Sequence, residues 1–154
     1  MSVPLDARDM SNAAIRLEPA DDLDYVERLL SEYDLPAGEV RSKPDCFFVA
    51  VQEGERVGVG GLEQYGTAGL LRSLAVEQSR RGEGFGTAIC DRLEKEARAD
   101  GIEQLWLLTT TAAAFFRARG YEDGDRSEAP EEIQNTTEFS DRCPDTATCL
   151  RTSL

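Results

Sequence analysis

The sequence predicts one α/β domain of the α+β kind, a mixed sheet with elements in the order β-α-β-β-β-α-β-α-β. Three observations carry that reading. The first half holds short alternating or β-rich runs separated by turn residues, the second half alternates helical stripes with β-rich runs, and no repeat or low-complexity segment interrupts the 154 residues. A chain of this length can bury about two-thirds of its unfolded surface in one core. Residues 1–154 are therefore read as a single domain, with 1–12 a flexible N-terminal extension.

The first strand is expected in "AIRLEPA", where Ile15 and Leu17 alternate with polar neighbours. A helix should follow, capped by Asp21 with Asp24 three residues on, with Leu23, Val26, Leu30 and Tyr33 as its apolar stripe. "DLPAGEVRSKPD" carries two prolines and a glycine and reads as irregular, with at most one short helix. "CFFVAVQEGERVGVGGLEQYG" contains two β-rich runs joined at Glu53-Gly54-Glu55, a hairpin signal, and Gly66 turns the chain into a further strand over 67–77. Phe85, Ile89, Leu93 and Ala97 recur every four residues, so a helix begins near Gly84 and ends at Gly101. A strand is expected over 102–110 and a short helix over 111–119, stopped by Gly120. A helical patch at "APEEIQNTTEFS" and a last strand in "TATCLRTSL" close the order.

Thirty acidic residues against 17 basic ones give a formal charge of -13, and only Lys43 and Lys95 are lysines. An acidic, lysine-poor surface of this halophile-like kind suits a high-salt cytosol, where the Debye length shrinks to about 3 Å. It equally suits a generic, highly soluble acidic protein. Either way nucleic acid and anionic membrane are disfavoured as partners, because no basic face is left to neutralise phosphates. "MSVPLDARDM" lacks a signal-peptide pattern and no apolar run approaches the roughly 18 residues of a membrane span, so a cytoplasmic location is expected. Cys46, Cys90, Cys143 and Cys149 form no C-x-x-C pair and read as free thiols. There is no histidine. Histidine metal sites and histidine-based triads are excluded, and a general base must be a carboxylate, tyrosine, amine or water. No metal is expected.

"VEQSRRGEGFGTAICDRLEKEA" raises the question of a phosphate cradle. Gly82, Gly84 and Gly86 carry no Cβ, the N–H groups at the start of the helix point outward, and Arg80 and Arg81 lie beside them. A P-loop is excluded because no lysine follows the glycines, and the dinucleotide fingerprint fails on spacing and on the antiparallel elements that precede it. What matches is R-x-x-G-x-G/A, through Arg81, Gly84 and Gly86.

At this point the sequence resembles the GNAT N-acetyltransferases. "LAVEQSRRGEGFGTAI" is similar to that family's strand-turn-helix for acetyl-CoA, and "TTTAAAFFRARGYE" to its later strand-helix segment. The Leu-Leu-Thr-Thr-Thr run, Phe115-Phe116 and the tail "PEEIQNTTEFSDRCPDTA" resemble an arsenic-resistance-associated branch. The resemblance implies a GNAT-like acyl-CoA N-acyltransferase fold with a splayed central strand pair, Leu71–Val76 diverging from Leu105–Leu108. The pantetheine arm of acetyl-CoA would lie along Leu74, Ala75 and Val76. Its pyrophosphate would sit on the N–H groups of Arg81, Gly82, Glu83, Gly84, Phe85, Gly86 and Thr87. Thr109 and Phe116 occupy the donor-site positions where the family often has asparagine and tyrosine; the tyrosine would protonate the leaving thiolate, so Phe116 is a departure. Thr109 or Thr111 could serve instead, or the thiolate could leave unassisted, its free pKa being about 8.5.

The implied reaction is direct attack of a small-molecule amine on the thioester in a ternary complex. Glu63 is the preferred base, acting through water, with Glu77 the other candidate. Arg72 and Ser73 interrupt an apolar run; alternation puts Arg72 on the face of Leu70 and Leu74, where it either binds the acceptor or pairs with Glu63. A homodimer is common in the resembled family. The alternatives are a catalytically silent acyl-CoA-binding module and thiol capture of arsenic by Cys143 and Cys149.

Overall fold

The computed structural model describes residues 15–33, 35, 37, 40–41, 43–136, 139 and 147–154. The expected extension over 1–12 and Cys143 lie outside them. Seven strands form one mixed sheet: β1 Ile15–Pro19, β2 Phe47–Gln52, β3 Glu55–Tyr65, β4 Ala68–Val76, β5 Gln104–Thr109, β6 Glu122–Asp123 and β7 Thr148–Ser153. Their ladders run in the order β1-β2-β3-β4-β5-β7-β6. The α-helices are α1 Leu23–Glu32, α2 Phe85–Ala99, α3 Ala113–Ala118 and α4 Glu131–Gln134. The chain divides into two compact units: the described residues of Met1–Gly61 with Ser73–Lys95, and Leu62–Arg72 with Glu96–Leu154.

In the first unit, β1 pairs antiparallel with β2 from Ile15↔Gln52 to Pro19↔Phe48, and β2 pairs antiparallel with β3. The β2–β3 hairpin turns on Glu53 and Gly54, both at positive φ (51° and 82°), as a two-residue primed turn requires. The cap of α1 is Asp22, whose carboxylate accepts from the Tyr25 N–H at 3.1 Å, rather than Asp21. Tyr25, Val26, Leu29 and Leu30 are buried, so the apolar stripe turns toward Tyr25 and Leu29 while Leu23 and Tyr33 sit at its margin. These side chains pack with Val40, Phe47, Val49, Val51, Val59 and Ala75.

Helix α2 follows its four-residue stripe closely: Phe85, Ile89, Leu93 and Ala97 are all buried. It lies close on the sheet because β3 has glycine where a side chain would collide. A Cβ at Gly58 would stand 2.5 Å from the Ala75 carbonyl oxygen and 2.9 Å from Ile89 Cδ1; one at Gly60 would stand 2.7 Å from Leu93 Cδ1.

In the second unit, β4 pairs in parallel with β5 over Ala68↔Gln104 to Leu70↔Trp106. β5 pairs antiparallel with β7, which also carries the two-residue β6. Ala68, Leu70, Trp106, Leu108, Ala129, Ile133, Phe139, Ala147 and Cys149 form the core of this unit. Strand β6 and the short turn of helix at Arg126–Glu128 were not foreseen, because two or three residues carry no readable period.

Inside β4, Ser73 has φ +59°, a left-handed residue within a strand. It marks a bulge-like break in the pleat, so the alternation expected to continue from Arg72 to Leu74 is not carried through it.

Gly58→Ala should cost about 1–3 kcal/mol, since the clash is with backbone that cannot swing away. A lowered urea midpoint with unchanged slope measures it.

Candidate active site

The turn between β4 and α2 is built from charges as much as from glycines. Gln78–Arg80 form a single 3-10 turn, Arg81 is extended, and Gly82 and Gly84 have φ of 81° and 85°, a region that residues with a Cβ rarely enter. Helix α2 then starts at Phe85 with no acidic residue in its first turn. The N–H groups of Phe85, Gly86 and Thr87 are at the positive end of a 15-residue helix and have no earlier carbonyl within it to bind.

The two arginines beside this turn have different roles. Arg80 donates to Glu55 at 3.1 Å and to Gln52 at 2.9 Å, lies 3.4 Å from Glu83, and stacks over the Phe85 ring at 5.0 Å. Its charge is taken up in holding the turn and in offsetting Glu83. Arg81 is exposed, has no ion-pair partner among the described residues, and rests over the Tyr33 ring at 5.5 Å. The charge available to an anion is therefore that of Arg81.

Tyr33 donates its hydroxyl to the Val76 carbonyl at 2.6 Å. Ala75 is buried, whereas Leu74 and Val76 are half-buried. Glu77 is ion-paired with Arg28 at 3.2 Å and its N–H donates to the Val57 carbonyl, so it is a structural carboxylate at the strand end. Burial, and then the Glu77 carboxylate, push the Tyr25 phenol well above its ordinary range.

Glu63 and Arg72 meet in the second unit. Their Oε2 and Nη1 lie 2.7 Å apart, with side chains 3% and 1% exposed. Tyr65 donates its hydroxyl to Oε1 of the same carboxylate. Of the two roles left open for Arg72, pairing with Glu63 is the one formed. Ser73 is buried. The Thr109 hydroxyl accepts from the N–H groups of Ala112 at 2.9 Å and Thr111 at 3.3 Å, so it holds the turn into α3. Phe116 is buried, edge-on to Phe115 and Tyr121 at 5.0 and 5.2 Å. It supplies aromatic packing where a hydroxyl was sought, and the exposed Thr111 has only its backbone engaged.

The contacts of Tyr33 and Tyr65 are not legible in the sequence, where Tyr65, like Tyr121, is a nearby tyrosine that does not match the position of the family's acid. Tyr33 was assigned to a helical stripe, and its partner Val76 lies 43 positions away, a separation that no local pattern encodes. Tyr65 stands two residues from Glu63 on one strand, and that i,i+2 spacing was the available signal. Cys149 is buried in the core of its unit and its thiol is pushed up to about 11 by burial, which marks it as a packing residue.

A family model described as Acetyltransferase (GNAT) domain matches residues 43–123. An amino-acid acetyltransferase of Pseudomonas fluorescens (strain Pf0-1) is 37% identical over 86 residues, covering 54% of this chain and 20% of that protein. The chain thus spans about a fifth of that relative's length. An IAA acetyltransferase of Azospirillum brasilense is 35% identical over 120 residues, covering 65% of this chain and 78% of that one. Among solved structures, N-acetylglutamate synthase from Neisseria gonorrhoeae complexed with coenzyme A and N-acetyl-glutamate superposes with a TM-score of 0.77 at 20% identity. That superposition covers 91% of this chain and 35% of the synthase, and it extends the likeness of fold beyond the family match.

Removing one partner of the buried ion pair should be severe. Arg72→Met is expected to cost about 3–5 kcal/mol by taking the guanidinium away from a buried carboxylate, and Arg72→Met with Glu63→Gln less than that, as read from urea unfolding. For Cys149 the folded pKa is raised from 9.0 to about 11, so the stability linked to its protonated thiol is full below pH 9 and falls as pH rises through 11. At pH 8 a thiol reagent should label half-buried Cys46 well before Cys149.

Proposed function

Because this chain belongs to the GNAT acetyltransferase family, whose acyl donor is acetyl-CoA, we propose that it transfers acetyl to the amine of a small, amino-acid-like molecule. The observation that carries this reading is the turn of left-handed glycines feeding the start of α2, with the Arg81 charge unpaired beside it. Such a turn binds a pyrophosphate through backbone N–H groups and one guanidinium. In this reading Arg81, Gly82, Glu83, Gly84, Phe85, Gly86 and Thr87 hold the pyrophosphate. The backbone of Leu74, Ala75 and Val76 runs along the pantetheine, and Thr109 and Phe116 shape the donor end through the turn and the aromatic packing that they hold.

The amine attacks the thioester carbonyl, the C–N bond forms, the C–S bond breaks and CoA leaves as thiolate, while the second proton, lost by the attacking nitrogen as the amide forms, passes through water to the solvent or to that thiolate. Glu63 receives the ammonium proton. Since Tyr65 already donates to Oε1, the proton passes by relay: the Tyr65 hydroxyl takes it, directly or from a water, while handing its own to Glu63. Arg72 holds the carboxylate through Oε2. The thiolate needs no dedicated acid, its ordinary pKa of about 8.5 making it a tolerable leaving group. Ser73, beside Arg72 at the break in β4, is assigned to the acceptor side.

The acceptor class rests on a relative: the amino-acid acetyltransferase is named for an amino-acid acceptor. An arsenic-containing amine belongs among the acceptors to be tried, on the resemblance of the C-terminal tail, part of which lies outside the described residues. A second reading, an acyl-CoA-binding module without transfer, draws on Phe116 standing where a hydroxyl is usual.

A panel of amino acids, other small primary amines and amine-bearing organoarsenicals with acetyl-CoA should give acetylated product from at least one amine. Glu63→Gln also breaks the buried pair with Arg72, so it is assayed on protein shown by circular dichroism to be folded; there it should lower kcat about 10²-fold with little change in KM for acetyl-CoA, and Tyr65→Phe, which leaves the ion pair intact, about tenfold. Tight CoA binding with no turnover on any amine would instead favour the silent module.

A further inference from the structure

We propose that Tyr33 is a positioning residue for the acyl donor, one side chain that ties the last carbonyl of β4 to the arginine that meets the donor's phosphates. The inference rests on the donor reading above and deepens it.

Tyr33 is held at both ends. Its backbone N–H, at the C-terminal cap of α1, donates to the carbonyls of Leu30 and Ser31, and its hydroxyl donates to the Val76 carbonyl at 2.6 Å. A phenol anchored at its root and its tip presents a ring of fixed orientation. Arg81 lies over that ring. No carboxylate among the described residues pairs with the guanidinium, and its neighbour Arg80 is fully engaged by Glu55, Gln52 and Glu83. The Tyr33 ring is thus the recorded contact that orients the unpaired cation at the glycine turn. An exposed arginine otherwise samples many rotamers, and ordering it in advance removes part of the cost of binding an anion.

The hydroxyl matters for a second reason. Val76 is the last residue of β4, and its carbonyl has two lone pairs. Tyr33 occupies one and fixes the peptide plane, leaving the other for an amide donor from an extended ligand. A tyrosine present only to cover the core of α1 would need neither the carbonyl contact nor the arginine above it. The separation of the two functions is testable, because phenylalanine keeps the ring and drops the hydroxyl, whereas leucine drops both.

The experiment titrates CoA by calorimetry into the wild-type chain, Tyr33→Phe, Tyr33→Leu, Arg81→Ala and the Tyr33→Leu/Arg81→Ala double variant, at low and high salt. Thermal melts confirm that each variant is folded, and Tyr33→Gln replaces Tyr33→Leu if the latter is not. Tyr33→Leu should weaken CoA about tenfold and flatten its salt dependence, the size expected for losing a cation–π platform. Tyr33→Phe should restore the salt dependence and stay within about threefold of wild type. In the Arg81→Ala background, Tyr33→Leu should add only the hydroxyl's share. Full additivity of Tyr33→Leu and Arg81→Ala, or a Tyr33→Leu loss with the wild-type salt dependence, overturns the proposal while leaving the donor reading intact. Failure of the folded wild-type chain to bind CoA overturns both.

Discussion

The close seating of α2 on β3 is the constraint from which the glycine turn follows. At Gly58 and Gly60 a single methyl group would meet the Ala75 carbonyl, Ile89 or Leu93 at 2.5–2.9 Å, so the helix approaches at a distance that only a bare backbone permits. With Ile89 and Leu93 seated there, the start of α2 is fixed relative to β4, and eight residues from Glu77 to Gly84 must connect them. The chain manages this with two left-handed glycines, and the same bareness that allows the turn lets an anion approach the helix N–H groups. In the proposed reading, packing and binding are thus served by the same absence of side-chain atoms.

Charge pairing then sets what the turn can do. The protein carries 30 acidic residues, so an arginine is rarely far from a carboxylate. Arg28, Arg41, Arg56, Arg72, Arg80 and Arg117 each have one or more acidic partners. Arg81, like Arg151 over Trp106, lies over an aromatic ring and has no ion-pair partner among the described residues; of the two, Arg81 is the one at the glycine turn. Among the described residues no carboxylate neutralises it, which is the basis on which it is proposed to meet a phosphate. The buried Glu63–Arg72 pair shows the opposite arrangement, two charges removed from water that compensate each other. A tyrosine hydroxyl donates to its second oxygen, so both oxygens of the Glu63 carboxylate are engaged.

Much of the architecture was legible in the chain. The four-residue stripe of α2, the Glu53-Gly54 turn and the R-x-x-G-x-G spacing are local patterns, and each forms as written because nothing distant opposes it. The readings that failed involve competition between neighbours or elements. Asp21 and Asp22 are equally good caps on paper, and it is the Asp22 carboxylate that reaches the Tyr25 N–H. The alternation of β4 is interrupted by Ser73, whose left-handed backbone no propensity foretells. Phe116 was noted as a missing hydroxyl, and the structure adds that its place is filled by packing against Phe115 and Tyr121.

By itself the sequence determined the mixed α/β class, the order of its main elements, the absence of histidine chemistry and the glycine spacing that points to acetyl-CoA. All of these follow from neighbours a few positions apart. Only the tertiary structure decided which charges are consumed and which remain available. Arg80 finds Glu55 25 residues away, Arg28 finds Glu77 49 residues away, and Tyr33 finds Val76 43 residues away. Coulombic and hydrogen-bond energies depend on distance in space, and the fold sets those distances by bringing remote backbone segments into contact.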